Sequence, residues 1–259
     1  MTDDNAFYLP LGDGRYEPTR ATESPWDRDA QHGGPPAALL AHLIDETVGE
    51  GLRLARLSID FLGPIPRREL AVSVEPVKPG RRVWLSEARM AVAERTVAIA
   101  RTWHIATGPR PPIEDELTWA PMLPAAQEQR YFHGLTDWGY GEAIEWRFTE
   151  GGYDTPGRTG VWTRVRLPLI AGEPIMPLAR TLIVADSANG LSTTLPIAEW
   201  WSIPPGMTTT LMRPPAGEWV HLSSHTRLAD DGIGIAHADL HDEDGFLGEV
   251  AQPLLISRR

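Results

Sequence analysis

The chain has 259 residues, 42% of them apolar, and a net charge of −11 from 35 acidic and 24 basic side chains. That length fits one large domain or two of ordinary size, and the acidic balance argues against a nucleic-acid surface, which needs a basic face to neutralise phosphates. The absence of cysteine excludes disulfides, Cys-based zinc sites and a thiol nucleophile.

The N-terminus, "MTDDNAFYLP", is acidic and has no apolar core, so it does not read as a secretory signal. No apolar run reaches membrane-spanning length. Both features predict a cytoplasmic protein with no membrane partner. Residues 35–48, "PPAALLAHLIDETV", read as a helix. Proline is tolerated in a first turn, where its missing N–H would be unpaired anyway. Apolar positions at Ala37, Leu39, Leu40, Leu43, Ile44 and Val48 cover more than one face, which predicts burial on most sides. Gly49 and Gly51 end the helix.

The period then changes. Runs at 54–65, 69–77, 81–94 and 95–106 are rich in β-branched and aromatic residues with partial alternation. Pro79-Gly80 and Ala93-Glu94-Arg95 supply turns. This predicts an antiparallel meander. Residues 107–143 carry several prolines and polar runs and read as a connection, with local helix near 124–131.

The second half repeats the plan. "AIEWRFTEG" and "GVWTRVRLPL" read as a hairpin. "MPLARTLIVADSANG" (176–190) reads as a helix with Pro177 near its start and Gly190 as its stop. Four strand-like runs follow, "MTTTLMRPP", "EWVHLSSHTRL", "GIGIAHADLHDED" and "GFLGEVAQPLLIS", with Asp244-Gly245 as a hairpin turn. An offset of about 150 residues overlays the halves, placing Pro64 on Pro214. A repeat of that length predicts two copies of one domain: an N-terminal unit over 1–110, a connection over 111–143 and a C-terminal unit over 144–259.

The segments "HGGPPAALLAHLIDE", "LIVADSANGLS", "LMRPPAGEWV" and "DDGIGIAHADLHDEDGFLGEVAQPLLIS", in this order and spacing, resemble the double-hotdog acyl-CoA thioesterases similar to acyl-CoA thioesterase II. The resemblance spans nearly the whole chain apart from the connection. It implies an α+β fold in which two long central helices are each wrapped by an antiparallel sheet, the sheets forming one. It also implies hydrolysis of an acyl-CoA thioester by an activated water, no cofactor or metal, and a homodimer or higher oligomer. In that family an Asp on the second helix, a Gln on the last strand and a Thr hold the water. The matching positions are Asp186 and Gln252. The strict Thr counterpart falls near Pro204, which has no hydroxyl; Thr208 is the nearest replacement, with Thr209 and Thr210 as rivals.

The residue chemistry agrees with these roles and leaves alternatives open. Asp186 sits among Leu182, Ile183, Val184 and Ala185, where desolvation makes a carboxylate a better base if it has partners; otherwise it points outward. Gln252 can donate to one group and accept from another, or lie on a solvent-facing position. His32, Gly33 and Gly34 stand before the first helix. Its open N–H groups can stabilise a thioester oxyanion, or the glycines only make a turn. For CoA phosphates, Arg81 and Arg82, and Arg67 and Arg68, are paired cations suited to the role. Three rivals follow. A hotdog hydratase or dehydratase uses an Asp and a His about five residues apart, as Asp27 and His32 are. A serine ester hydrolase is suggested by His-Gly-Gly, but the chain lacks a Gly-x-Ser-x-Gly elbow. A non-catalytic acyl-binding protein on the same fold is the third.

Overall fold

The computed structural model describes residues 5–112, 118–132, 135 and 137–259. The "MTDD" start and parts of the connection at 113–117, 133–134 and 136 lie outside the described residues. The strands, in chain order, are β1 (Tyr8–Gly12), β2 (Arg15–Pro18), β3 (Leu52–Phe61), β4 (Leu70–Lys78), β5 (Val83–Val92), β6 (Arg95–Ala106), β7 (Ile144–Gly152), β8 (Thr155–Val165), β9 (Trp200–Ile203), β10 (Gly206–Leu211), β11 (Val220–Leu228), β12 (Ile233–Asp242) and β13 (Gly245–Arg258). The helices are α1 (Gly34–Asp45), α2 (Gly139–Glu142), α3 (Pro177–Ala185) and α4 (Ala188–Leu191).

All the strands join one sheet in the order β1-β2-β4-β5-β6-β3-β10-β13-β12-β11-β8-β7, with β9 beside the end of β13. Read inward from either edge, the two halves have the same order. β4 and β11, β5 and β12, and β6 and β13 each begin 150 residues apart. The halves meet at β3 and β10, whose antiparallel register centres on Ser58 opposite Thr208, a repeat-related pair whose hydroxyls are 3.2 Å apart. A local two-fold relation therefore passes through this pair. This is the double hotdog that the resemblance implies.

α1 is buried from Gly34 through Ala41 and again at Ile44, as its apolar girth predicts. It packs against α3 inside the curved sheet. The contact is close at Gly34, where an added Cβ would lie 1.9 Å from the Ile183 carbonyl oxygen. No helix among the described residues is long and apolar enough to cross a membrane.

Three expectations need correction. The second helix does not run unbroken to Gly190. It stops at Ala185 and resumes as α4, with Gly190 inside the second piece. The cause is a competing acceptor pattern: the Ser187 amide donates to Val184 O at 2.9 Å, one residue short of the helical partner, and the Tyr140 hydroxyl takes Ile183 O at 2.8 Å. The connection has no helix near 124–131. Gln127 and Gln129 instead present their side-chain amides to the main chain of Phe148 and Trp146 on edge strand β7, each amide donating to one strand carbonyl and accepting one strand N–H. The sheet edge is thereby covered. Finally, β9, which the alternation did not reveal, pairs with β13 through Leu255 and Ile203.

Two of the resembling segments, "LMRPPAGEWV" and "DDGIGIAHADLHDEDGFLGEVAQPLLIS", have a structural task. The Arg213 guanidinium spans both carboxylate oxygens of Asp242 and donates to the Phe246 and Gly245 carbonyls. Asp242 also accepts from the Ala216 and Asp244 amides. Burial pushes the Asp242 carboxyl up, but these donors outweigh it and hold it below the usual range. The Arg-Pro-Pro stretch and the final hairpin are clamped together by one buried, charge-assisted fork.

Candidate active site

A cavity of about 510 Å³ opens beside the break between α3 and α4. Its wall is largely aromatic and aliphatic, including Phe61, Ile65, Phe132, Trp138, Tyr153 and Trp200. His32, Gly33, Asp186, Asn189 and Ser202 supply polar groups to the same wall. An apolar cavity with few converging polar groups is the usual form of a small-molecule site.

Asp186 occupies the C-cap of α3, so the helix break turns its carboxylate toward the cavity and away from the α3 packing face. Gln252 Nε2 donates to Asp186 Oδ1 at 2.8 Å and stands 3.3 Å from the Asp186 carbonyl. Gln252 Oε1 accepts from the Asn189 amide at the start of α4 at 3.0 Å. Gln252 is fully buried, on the inner face of β13. The structure thus brings Asp186 and Gln252 together, and the Gln amide is spent on fixing the Asp.

The second Asp186 oxygen faces the other half of the chain. His32 Nδ1 lies 3.1 Å from Asp186 Oδ2. The loop carrying His32 is pinned on both sides: its own amide donates to Thr22 O at 2.7 Å, and Gln31 bonds Ile65 O, Pro66 O and the Tyr8 hydroxyl. The imidazole stacks on the Tyr140 ring at 3.9 Å with 10° between planes. Burial pushes the His32 imidazole down, against a smaller upward pull from Asp186, so the ring is neutral near pH 7. Tyr140 in turn bonds the Ser187 hydroxyl at 2.9 Å, and burial raises its phenol far above the ordinary value.

Gly33 is the N-cap of α1. An added Cβ there would come within 2.8 Å of Asp186 Oδ2 and 2.5 Å of Phe61 Cζ. Pro35 and Pro36 have no N–H, and the Gly34 N–H donates to His32 Nδ1 at 3.3 Å, so the donors of this helix end come from the two glycines alone.

The other expected residues lie elsewhere. Thr208 pairs with Ala251, one position from Gln252, so alternation places it on the outer face, where it meets Ser58. Thr209 is the buried member of the triplet, and its hydroxyl has no partner among the described residues; Thr210 is exposed. Arg81 and Arg82 are exposed at the β4–β5 turn, and neither they nor Arg67 and Arg68 line the cavity. Among the described lining residues the one arginine is Arg259, stacked 3.7 Å over the Trp201 ring. Asp27 is exposed and caps the Asp29 amide, so the acidic neighbour of His32 is Asp186.

Sequence reasoning missed Asn189 and Ser202. The Ser202 hydroxyl donates to Asn189 Oδ1 at 2.7 Å, and Asn189 Nδ2 donates to the Ser202 carbonyl at 3.0 Å. They extend the network Ser202–Asn189–Gln252–Asp186–His32 along one side of the cavity. Ser202 lies two residues before Pro204, so the hydroxyl absent at 204 is present on β9.

Comparison with known proteins agrees with this architecture. The family model for the acyl-CoA thioesterase N-terminal domain matches residues 22–105, and that for the C-terminal domain matches 114–256. No curated protein matches the sequence. Among solved structures, the chain is similar to a candidate thioesterase II from Thermobifida fusca YX (18% identity, 98% of this chain and 97% of the other, TM-score 0.74). It is also similar to the acyl-CoA thioesterase II TesB2 of Mycobacterium marinum (16% identity, 99% and 97%, TM-score 0.70) and a candidate thioesterase from Novosphingobium aromaticivorans (22% identity, 96% and 98%, TM-score 0.67). At these identities the structures speak for the fold, while the two family models span most of the sequence. The chain belongs to the acyl-CoA thioesterase family and is a thioester hydrolase of double-hotdog architecture.

Proposed function

We propose that this chain cleaves an acyl-CoA thioester to the free acid and CoA, with Asp186 activating the water. One observation carries the reading: the Asp186 carboxylate borders an apolar cavity, held on one oxygen by Gln252 and approached on the other by His32. A carboxylate fixed by donors in a water-poor site is preorganised to accept positive charge as water loses a proton. Gln252 is a positioning residue, and Ser202 takes the place expected of the Thr hydroxyl. The acyl group occupies the aromatic cavity. Arg259, not Arg81 or Arg82, is the cation placed to meet a CoA phosphate. The reaction runs free in the cytoplasm.

The test is release of CoA from a series of acyl-CoAs, short to long, followed with a thiol reagent; the chain has no cysteine to interfere. Asp186→Asn keeps the Gln252 contact and should lower kcat by about 10²- to 10⁴-fold, with the thermal midpoint nearly unchanged. Unaltered turnover in that variant removes Asp186 from the chemistry. Tight acyl-CoA binding with no CoA release in the parent protein would favour an acyl-binding protein.

A further inference from the structure

We infer that His32, from the first hotdog, donates its Nε2–H to the thioester carbonyl while Asp186, from the second, takes the proton of the attacking water. The inference rests on the hydrolase reading above and adds the group that receives the developing negative charge.

The hydrogen bond at Nδ1 decides the tautomer. The Gly34 N–H donates to His32 Nδ1 at 3.3 Å, so that nitrogen is an acceptor and carries no proton. Asp186 Oδ2 stands 3.1 Å from the same nitrogen but outside hydrogen-bond geometry. Burial pushes the imidazole down, against the smaller upward pull of Asp186, so the ring is neutral and its one proton sits on Nε2. Among the described residues nothing accepts a hydrogen bond from that proton. The ring borders the cavity, with 11% of the side chain exposed. Stacking on Tyr140 at 3.9 Å and the pinned backbone fix the ring plane. A fixed donor without a partner, on the wall of an apolar cavity, is open to a ligand oxygen, and leaving it unused is costly.

The contact that sets the tautomer also strengthens the donor. Gly34 opens α1, so its N–H belongs to the positive end of the helix. Donation into Nδ1 draws charge from the ring and makes Nε2–H the better donor. The Gly34 N–H thus acts on the substrate through the imidazole. A neutral imidazole polarises a carbonyl without the cost of burying a cation. Nδ1 and Nε2 lie on opposite sides of the ring, so Asp186 stands beside one and the carbonyl oxygen beside the other. The step then balances. A water oxygen bonds to the thioester carbon and its proton goes to the Asp186 carboxylate. The carbonyl electrons become an oxyanion that accepts from Nε2–H. The oxyanion collapses, the carbon–sulfur bond breaks, and the sulfur leaves with the proton from Asp186. Acid and CoA thiol are formed, and His32 stays neutral throughout.

Two substitutions and two spectra separate a carbonyl donor from a structural support. His32→Asn keeps an oxygen that can accept the Gly34 N–H but puts no donor at the position of Nε2. We expect kcat to fall about 10²- to 10³-fold, the loss of one oxyanion donor, with KM little changed. His32→Gln reaches the Nε2 position with an amide N–H and should recover about tenfold or more of that loss. Nitrogen NMR of the free protein should show the ring proton on Nε2. An acyl-CoA with an isotope-labelled carbonyl, bound to the Asp186→Asn variant so that it persists, should show a lower carbonyl stretching frequency than in the Asp186→Asn, His32→Asn double variant. A purely structural role leaves that frequency unmoved. The inference is overturned by a His32→Asn kcat at the parent level, by a His32→Gln no faster than His32→Asn, by equal carbonyl frequencies, or by a proton on Nδ1. Failure of the parent chain to release CoA from any acyl-CoA is a separate outcome, which removes the hydrolase reading and this role of His32 with it.

Discussion

Gly33 and Gly34 are adjacent, yet the neighbours that exclude a side chain differ. At Gly34 the obstacle is backbone: a Cβ would sit 1.9 Å from Ile183 O, on a carbonyl already fixed by Tyr140. Neither partner can swing aside, so Gly34→Ala must push α1 from α3, and the expected loss is about 3 kcal/mol or more, read as a lowered denaturant midpoint. At Gly33 the obstacles are the tip of Phe61 and the Asp186 carboxylate. Those can move, so Gly33→Ala should cost only about 1 kcal/mol of stability but displace Asp186, lowering kcat by on the order of 10²-fold. Denaturation and CoA release measured side by side separate the two. Equal stability losses with equal activity losses would refute the division. The alternatives first posed for these glycines, a turn or an approach to ligand, omitted a third: they let two central helices touch. That contact is not legible in residues 29–46 alone, because its other half lies about 150 residues away.

At the scale of elements, the β5–β6 hairpin carries a correctable strain. Ala93 and Glu94 both have positive φ, 48° and 65°, the values a two-residue type I′ turn demands and side chains resist. The repeat-related turn takes a different course: Glu243 and Asp244, the counterparts of Ala93 and Glu94, do not have positive φ, and the left-handed position falls on the next residue, Gly245 (φ 98°). Glu94→Gly should therefore stabilise the protein by about 1 kcal/mol, seen as a rise in thermal midpoint with kcat unchanged; a fall would mean that the Glu94 side chain contributes more than its backbone costs. The strands on either side of such turns were readable because half-buried antiparallel strands alternate and their turns are chemically marked. β9 was not: four residues with no alternation, defined by pairing to the end of β13. With β9 hidden, Ser202 and its link to Asn189 are hidden too, whereas Thr208, the replacement that the sequence offers, is turned outward by strand parity. The break in the second helix was equally invisible, since it is made by Tyr140, more than forty positions upstream. Asp186, Gln252 and His32 were individually legible; that one carboxylate joins the other two is a property of the assembled halves.

Across the whole molecule, the acid response is concentrated on the outer face of the second hotdog. His221 and His241 are cross-strand partners on β11 and β12, with their Nε2 atoms 3.1 Å from Thr149 and 3.2 Å from Thr118 and both Nδ1 atoms buried without a partner among the described residues. Burial, with a smaller contribution from His241, pushes His221 down to about 4 from an ordinary 6.5, and burial lowers His241 as well. The folded state therefore binds fewer protons than the unfolded chain between about pH 6.5 and 4, and stability must fall as pH falls through that window. For His221 alone the loss approaches about 3 kcal/mol at its lower end, or roughly 5–10 °C of thermal midpoint for a chain of this size. A second window lies below it. Burial pushes the Glu145 carboxyl up, but hydrogen bonds from Arg147 and Arg164 outweigh that and bring it down to about 2. Its contribution is complete above the ordinary carboxylate value near 4.5 and is lost between there and about 2. The midpoint should thus decline in two stages, first with the histidines and then with Glu145. His221→Gln, which keeps a polar group against Thr149 but cannot be protonated, should flatten the first stage and leave the second. Thermal midpoints of the parent and this variant at pH 7.5, 5.5, 4.5 and 3 make the comparison. Parallel curves across pH 6.5 to 4 would show that the first stage arises elsewhere, and His32, the other buried imidazole that burial pushes down, would be the next to replace.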